Sequence, residues 1–318
     1  MPSNTSIREQ VTKQIVEAIE QKKTLPWRRP WSLSKNTGRA ANVVSKRPYS
    51  GINPLLLEIH RLDHGLASRW YGTFQQWADL GMAVRKRPAH VEPGRWGAKI
   101  VFYRPVTKTK VDPATGDETE DRFFVMRTYS VFNADQVEGA EAFQVSDDAP
   151  EGLVLPDFAP AEELIAATGA DIRHDGSQAF YRRPIPEDAW PNHEDGDFIV
   201  LPPKHTFDPV GSYYETALHE LAHWSELRLG WDHRRHGYAM GELVAEMAAS
   251  FLSTELAVPQ GESLENHAAY VRSWLKEMKD DASFVFKAST QASKVADYLL
   301  GFVQQEEEKP EPVLVEQG

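Results

Sequence analysis

The stretch Glu215-Thr-Ala-Leu-His-Glu-Leu-Ala-His-Trp-Ser-Glu-Leu227 decides most about this chain. It contains neither Pro nor Gly, so we expect it to form a helix. His219 and His223 are four residues apart, and such positions lie on one face of a helix. Two imidazoles on one face can bind one metal ion, and the adjacent Glu220 can act as a general base toward water. The stretch therefore predicts a metal site of the hydrolase type. The alternative, a surface helix with two solvated histidines, explains neither Glu220 nor the apolar neighbours.

The third protein ligand is expected from the next helix, because two histidines and a water molecule leave one position open on zinc. Glu242 and Glu246 are again four residues apart, on a largely apolar helix where carboxylates are costly unless they are paired or bind metal. By analogy with zincins that use H-E-x-x-H plus Glu, we predict Glu242 as the ligand. Glu246 then supports a ligand histidine or is the alternative ligand. His233 and His236 are rivals in the intervening loop, where the simpler interpretation is a surface histidine.

The chain has no cysteine, so a bound zinc ion would need His and carboxylate ligands. We expect Zn²⁺, with Mn²⁺ or Co²⁺ as acceptable substitutes. Attack of water on a carbonyl group also needs a donor that stabilises the oxyanion. Tyr238 is our candidate for that donor, with Tyr213 and Tyr214 as alternatives, and each is equally consistent with a core position.

Charge divides the chain into two unlike halves. Residues 1–110 contain 20 Lys and Arg against 7 Asp and Glu, whereas the rest contains 15 against 40. A basic half joined to an acidic half is typical of a nucleic-acid-binding module with a second domain. No apolar run approaches the ~18 residues of a membrane span, and the N-terminus lacks the basic and then apolar pattern of a secretion signal. We therefore expect a cytoplasmic protein without membrane partners.

Cations and aromatic residues are interleaved in the basic half. This mixture suits single-stranded DNA, because aromatic rings stack on unpaired bases while Lys and Arg contact phosphates. Binding should then depend strongly on salt, and no motif that reads duplex DNA is visible. Some aromatic residues belong instead to the core, an interpretation that we favour for Trp70, Phe74 and Trp77 at helical spacing. We expect DNA contacts from Trp27, Arg28, Arg29, Trp31, Lys46, Arg47, Tyr49, Arg85, Lys86 and Arg87.

The order of the predicted elements indicates an α+β fold with two domains. In the first half, an amphipathic helix at 5–23 precedes a β-hairpin formed by 98–106 and 122–132. In the second half, short strands precede helices near 160–168, 213–229, 239–257, 262–279 and 283–303. We place a DNA-binding domain at 1–135, a linker at 136–154, a mainly helical metal-site domain with a small sheet at 155–303, and a disordered acidic tail at 304–318.

Several short motifs together resemble the ArdC antirestriction family over nearly the whole chain. They are Pro26-Trp27, Pro48-Tyr49-Ser50-Gly51-Ile52-Asn53, Trp70 with Thr73-Phe74, Val84-Arg85-Lys86, His219–Trp224 and Glu242–Glu246. The resemblance implies a single-stranded-DNA-binding domain joined to a zincin-like metallopeptidase domain. It also implies a role in shielding incoming plasmid DNA from host restriction during conjugation. Gly241 departs from the family pattern, because a second acidic residue is expected before Glu242.

Two functional hypotheses remain open at this point. In the first, the protein binds single-stranded DNA and also acts as a gluzincin-like metallopeptidase, with a host protein such as a restriction component as a further partner. In the second, it only coats single-stranded DNA, and its metal is structural. The sequence does not decide between them, so enzyme activity stays undecided.

Overall fold

The computed structural model describes residues 3–22, 25–28, 34, 36–111, 118–145, 158–184, 196–260 and 268–307. The chain divides into two compact units. The first unit comprises 1–26, 34–149 and 275–286, and the second comprises 27–33, 150–274 and 287–318. The sequence predicted two continuous domains, whereas each unit here also takes a short segment from the other half of the chain. Both units combine helices with small sheets, so the predicted α+β class is confirmed.

Among its described residues, the first unit contains three complete α-helices and six strands. They are α1 (Asn4–Lys22), β1 (Ala41–Asn42), α2 (Asn53–His64), β2 (Trp70–Gly72), α3 (Phe74–Asp79), β3 (Ala83–Val84), β4 (Ala98–Val111), β5 (Glu118–Asn133) and β6 (Val137–Glu138). Four of the strands form a sheet in the order β1-β2-β5-β4, and β3 pairs with β6. The long hairpin of β4 and β5 is antiparallel, with Ala98 opposite Val131 at one end of its ladder and Val111 opposite Glu118 at the other.

Local sequence explains where the short helix α3 begins. Thr73 precedes it, and its hydroxyl accepts a hydrogen bond from the backbone N–H of Gln76 at 3.1 Å. The side chain of Gln76 accepts in return from the backbone N–H of Thr73 at 2.9 Å, which completes a capping box. Trp77 on this helix is fully buried in a cluster with Val43 and Val137. The core position predicted for Trp77 is therefore confirmed, whereas Phe74 is exposed.

The second unit contains a three-stranded sheet and the helices that carry the predicted metal ligands. Its elements are α4 (Ala159–Ala167), β7 (Asp171–His174), β8 (Phe180–Arg182), β9 (Phe198–Leu201), α5 (Gly211–Arg228), α6 (Tyr238–Glu255), α7 (Ala268–Asp280) and α8 (Phe284–Glu307). Residues 275–286, which include the end of α7 and the start of α8, belong to the first unit. The sheet order is β7-β9-β8, with β7 parallel and β8 antiparallel to the central β9. Strand β8 is thus an edge strand of this sheet.

Helices α5 and α6 form the centre of the second unit. Leu218 and Leu221 on α5 are fully buried, as are Leu243 and Met247 on α6. Burial of so many apolar side chains stabilises each helix more than its intrinsic propensity does. No helix in the described part of the chain combines the length and the apolar character needed to cross a membrane.

Two segments that the sequence assigned to a linker and a tail begin with regular structure. Residues 136–145 include β6, and Val137 and Ala140 are fully buried against Trp77. Residues 304–307 continue α8. The remainder of the predicted linker, up to residue 154, and of the predicted tail, from 308 onward, lies outside the described residues.

Candidate functional site

Helices α5 and α6 bring His219, His223 and Glu242 together. The Nε2 atoms of the two histidines lie 3.7 Å from the two carboxylate oxygens of Glu242, His219 facing Oε2 and His223 facing Oε1. One potential ligand atom from each of the three residues lies within 4.8 Å of the others, the spacing of donors around one cation. Burial alone would raise the pKa of Glu242, but the hydrogen bond with His219 and the charge of His223 outweigh it and lower that pKa. The three residues predicted as ligands thus converge on one point.

Glu220 lies beside this cluster and is buried. Its burial raises the pKa of its carboxyl group, an effect that nearby His219 and His223 oppose. The backbone N–H of Tyr181 also helps to lower the pKa of this carboxyl group. Because Tyr181 is the middle residue of β8, an edge strand of the sheet lies directly next to the predicted general base.

Glu226 binds Nδ1 of His223, and the sequence analysis did not identify it as a site residue. Its carboxylate accepts from Nδ1 of His223 at 2.9 Å and from Nδ1 of His233 at 2.7 Å, and it is only 1% exposed. When the proton of His223 is on Nδ1, its Nε2 is unprotonated. The lone pair of Nε2 is then available to a metal ion on the side of Glu242. Burial would raise the pKa of Glu226, but the two histidine hydrogen bonds outweigh it and lower the pKa to about 2. The only sequence signal was its position three residues after His223.

Arg183 completes the surroundings of Glu226. Its Nη2 lies 2.7 Å from Glu226 Oε2, and its Nη1 lies 2.7 Å from Asp232 Oδ1. His223, Glu226 and His233 also have donor atoms close enough to hold a cation. We interpret them as a hydrogen-bonded group instead, because a guanidinium in contact with the shared carboxylate repels a second cation.

The structure explains why residue 241 is glycine. A Cβ atom at Gly241 would lie 2.7 Å from Cβ and 2.9 Å from Cγ of His233, so a side chain has no room there. His233 therefore lies against α6 and binds Glu226, and it belongs to no group with His219 and Glu242. The other rival ligand, His236, is exposed and stacks on Trp231 with ring centroids 5.4 Å apart.

Glu246 makes a contact that the sequence analysis did not foresee. Its Oε1 accepts from Nε of Arg28 at 2.9 Å, and Nη2 of Arg28 lies 2.8 Å from Glu215 Oε1. Burial would lower the pKa of Arg28, but the charges of Glu246 and Glu215 outweigh it and raise that pKa. Among the described residues, the donor cluster around His219 contains Glu242 and not Glu246. Arg28, predicted as a DNA contact, thus has two carboxylate partners within the second unit.

The three tyrosines considered as oxyanion donors have different surroundings. Tyr238 is the first residue of α6, one turn before Glu242, and its hydroxyl is 3.1 Å from that of Tyr270. The hydrogen bond with Tyr270, partial burial and the charge of nearby Glu242 raise the pKa of Tyr238. Tyr213 and Tyr214 are buried, and their hydroxyls bond to other side chains, His174 at 2.9 Å and Glu162 at 2.6 Å respectively. Only Tyr238 of the three has its hydroxyl at the cluster.

The residues predicted to contact DNA fall into distinct groups. Trp27 is 3% exposed and packs edge-on against Trp274, so it cannot stack on a base in this structure, which corrects that prediction. Tyr49 is half-buried, and its hydroxyl accepts from Asn42 at 3.3 Å. Arg29 and Trp31 lie outside the described residues. The remaining predicted residues are cations of the first unit with exposed side chains: Lys46, Arg47, Arg85, Lys86 and Arg87.

Lys46 differs from the other exposed cations because it lies over aromatic rings. Its Nζ is 4.7 Å from the ring centroid of Trp70 and 4.4 Å from that of Phe143. These cation–π contacts place the ammonium group over the two rings, although the residue as a whole is exposed. Lys46 also has a positive φ of 60°, so the turn that presents it is an uncommon conformation for a non-glycine residue.

Two family models match the chain, one in each half. Residues 5–132 match the N-terminal domain of the anti-restriction factor ArdC, and residues 159–291 match a zincin-like metallopeptidase. Among curated proteins, y4eC of Sinorhizobium fredii (strain NBRC 101917 / NGR234) is 32% identical over 308 residues, which are 93% of this chain and 92% of y4eC. A DNA primase TraC of Escherichia coli is 31% identical over 94% of this chain, which spans only 27% of that primase.

Solved structures show the same relationship at the level of the fold. The metal-free crystal structure of the antirestriction protein ArdC from plasmid R388 superposes with a TM-score of 0.70 at 32% identity, covering 94% of this chain and 98% of that one. The Mn(II)-bound structure of the same protein gives a TM-score of 0.64 at 30% identity, over 93% and 97% of the two chains. With identity and coverage at this level, the chain belongs to the ArdC antirestriction protein family and carries that family's zincin-like domain.

Proposed function

We propose that this protein binds single-stranded DNA through its first unit and acts as a metal-dependent peptidase through its second. One observation carries the peptidase half: His219, His223 and Glu242 converge within 4.8 Å beside the buried Glu220. A set of two imidazoles and one carboxylate next to a potential general base is the arrangement of hydrolytic zinc sites. The DNA-binding half is supported by the exposed cations of the first unit and by the match to the ArdC N-terminal domain.

The residues fit a divalent transition metal ion. Imidazole nitrogen suits zinc, manganese and cobalt, and a carboxylate is acceptable to each of them. The structurally similar R388 protein has been solved with Mn(II). We propose His219, His223 and Glu242 as ligands of Zn²⁺, with Mn²⁺ or Co²⁺ as substitutes. When bound, such an ion would polarise a carbonyl group and make water more acidic.

The chain's own residues would supply the remaining parts of the reaction. Glu220, the residue next to ligand His219, is proposed to take a proton from water as it attacks a peptide carbonyl and to pass it to the leaving amine. Tyr238, one turn before Glu242 on α6, is proposed to donate a hydrogen bond to the developing oxyanion. The edge strand β8 beside Glu220 would pair with an extended substrate backbone.

We further propose that the biological role is protection of incoming DNA from restriction during conjugation, in the bacterial cytoplasm where that DNA meets the host enzymes. The proposal is supported by the R388 relative, which is described as an antirestriction protein. Protection would come from coating the single strand, from acting on a host protein such as a restriction component, or from both. Action on a host protein would require Glu220 as a general base, whereas coating of the single strand would not.

Replacing Glu220 by Gln separates the two routes. The variant retains all three proposed ligands and an isosteric side chain, but it lacks the base. If proteolysis contributes, E220Q should bind metal and single-stranded DNA like wild type while protection of a conjugating plasmid falls. Full protection by E220Q would instead support the coating protein with a structural metal. Metal analysis of the purified wild-type protein is the companion measurement, and the absence of a stoichiometric ion after loading would refute the metal site itself.

A further inference from the structure

The hairpin of β4 and β5 presents aromatic and cationic side chains on one of its faces. Directly paired residues of antiparallel strands project to the same side of the sheet. Phe102 is paired with Arg127, and the next pairs on the same side, two residues away in each direction, are Ile100 with Tyr129 and Arg104 with Val125. We call these six residues the outer hairpin face: Ile100, Phe102, Arg104, Val125, Arg127 and Tyr129.

The opposite side of the hairpin is buried only in part, because Tyr103 and Phe124 on it are exposed. Val101 and Met126 on that side are buried. Asn53 of α2 fixes β4, accepting from the backbone N–H of Val101 at 2.8 Å and donating to its carbonyl at 2.9 Å. Asn4 of α1 fixes β5 in a similar way through the N–H of Met126 at 2.8 Å. These contacts hold the hairpin on a rigid support. On the outer hairpin face, Ile100 packs against the buried cluster of Leu57, Tyr71, Ala98 and Val131, whereas Phe102, Arg104 and Tyr129 are exposed.

Two aromatic rings on this face are unusually accessible. Phe102 is 55% exposed and Tyr129 is 44% exposed. Their centroids are 6.2 Å apart with an interplanar angle of 81°, an edge-to-face pair. Grouped exposed aromatic residues generally mark a binding surface, because leaving their apolar area in water is unfavourable. The same two strands also carry exposed Phe124 on the opposite side.

The charge around these rings is positive. Residues 98–107 and 124–133 together contain three cations, Lys99, Arg104 and Arg127, and no Asp or Glu. Arg104 is exposed, whereas Arg127 is half-buried, and its Nε is itself buried without a hydrogen-bond acceptor among the described residues. No carboxylate in the described part of the chain forms an ion pair with either guanidinium. The face thus offers positive charge to a partner instead of neutralising it internally.

We infer that the outer hairpin face binds single-stranded DNA, with Phe102 and Tyr129 stacking on unpaired bases and Arg104 and Arg127 contacting the phosphates. Aromatic rings flanked by guanidinium groups match both chemical components of a single strand, whereas a duplex hides the faces of its bases. The inference rests on the proposed DNA-binding function and assigns its location. It also supplies the stacking surface that the buried Trp27 does not provide.

The first test compares two sets of aromatic variants. The double substitution F102A and Y129A removes the proposed stacking rings, and F124A is the matched control, since Phe124 is 62% exposed on the same hairpin but on the opposite side. Affinity for a fluorescent oligothymidine is measured by anisotropy, with circular dichroism melting as the check on folding. We expect affinity to fall about tenfold for each ring removed, and the F124A protein to bind like wild type.

The second test separates stacking from charge by varying salt. The double substitution R104Q and R127Q should reduce the slope of log affinity against log salt concentration by about 0.7 for each cation. The aromatic double variant should instead lose affinity at every salt concentration with its slope unchanged. This division of effects is specific to a face that combines stacking with phosphate contacts.

The outcomes keep this inference distinct from the proposed function. If wild-type protein fails to bind the oligonucleotide, the proposed DNA-binding function itself is wrong. If wild type binds and the F102A and Y129A variant binds equally well, DNA binding stands but the outer hairpin face is not its site. An F124A effect as large as that of the double variant would also overturn the assignment to one face. Tight binding by wild type with selective loss in the two double variants supports it.

Discussion

Substitution of Glu226 by Gln tests whether a buried carboxylate orients the proposed metal ligand His223. The wild-type group is 1% exposed and accepts three charge-assisted hydrogen bonds, from His223 at 2.9 Å and from His233 and Arg183 at 2.7 Å each. An amide has one acceptor oxygen, and its NH₂ group cannot accept from the remaining donors. The E226Q variant therefore loses at least one of these bonds and all of the negative charge.

The size of the effect follows from these contacts. Loss of the group that orients a ligand histidine typically weakens metal binding by about 10–100-fold, or roughly 1.4–2.7 kcal/mol. The metal-free protein should also be destabilised, by about 2–3 kcal/mol, because the half-buried Arg183 loses one of its two carboxylate partners. Both effects should be present in the same variant.

Competition with a chromophoric chelator measures the metal affinity, and denaturant unfolding of the metal-free protein measures stability. The matched control is Asp232→Asn, because Asp232 binds the same Arg183 at 2.7 Å but makes no hydrogen bond to a proposed ligand. We expect D232N to retain wild-type metal affinity. Equal metal affinities for E226Q, D232N and wild type would refute the idea that Glu226 orients His223.

Three further outcomes follow from other contacts. Arg28→Ala should destabilise the second unit by about 3–5 kcal/mol in denaturant unfolding, because Glu246 is left buried without its guanidinium; an unchanged midpoint would contradict this. Gly241→Ala should lower the melting temperature by displacing His233, at a cost of about 1–3 kcal/mol despite the better helix propensity of Ala, and a higher melting temperature would show that the site relaxes. Burial lowers the pKa of His60 to about 4, so between about pH 6.5 and 4 the unfolded chain binds a proton that the folded chain does not. Stability should then fall by about 1.4 kcal/mol per pH unit as pH falls, and His60→Gln should lose that dependence.

The elements that sequence predicted well are those with strong local patterns. A helix expected at 213–229 is found as Gly211–Arg228, and one expected at 239–257 is Tyr238–Glu255. Periodicity locates such helices, and spacing within a helix then determines which side chains share a face. The convergence of the three proposed ligands was predictable for that reason.

The parts that sequence missed depend on contacts between distant residues. The hairpin strands were expected to end near Val106 and begin near Arg122, because the intervening residues are polar, but pairing across the turn extends them to Val111 and Glu118. Arg28 was taken for a DNA contact because composition does not reveal a partner 218 residues away. Glu226 looked like an ordinary helix carboxylate until the fold placed His233 and Arg183 around it.

The pairing of Arg28 with Glu246 bears on how such proteins exchange modules by recombination. Glu246 lies in the region that matches the zincin-like model. Its partner Arg28 lies in the region that matches the ArdC N-terminal model. A recombinant that joined this α6 to an N-terminal half without an arginine at position 28 would lose that partner of the buried Glu246. Lineages should therefore inherit the two halves as one block, and the Escherichia coli primase that aligns with 94% of this chain retains both.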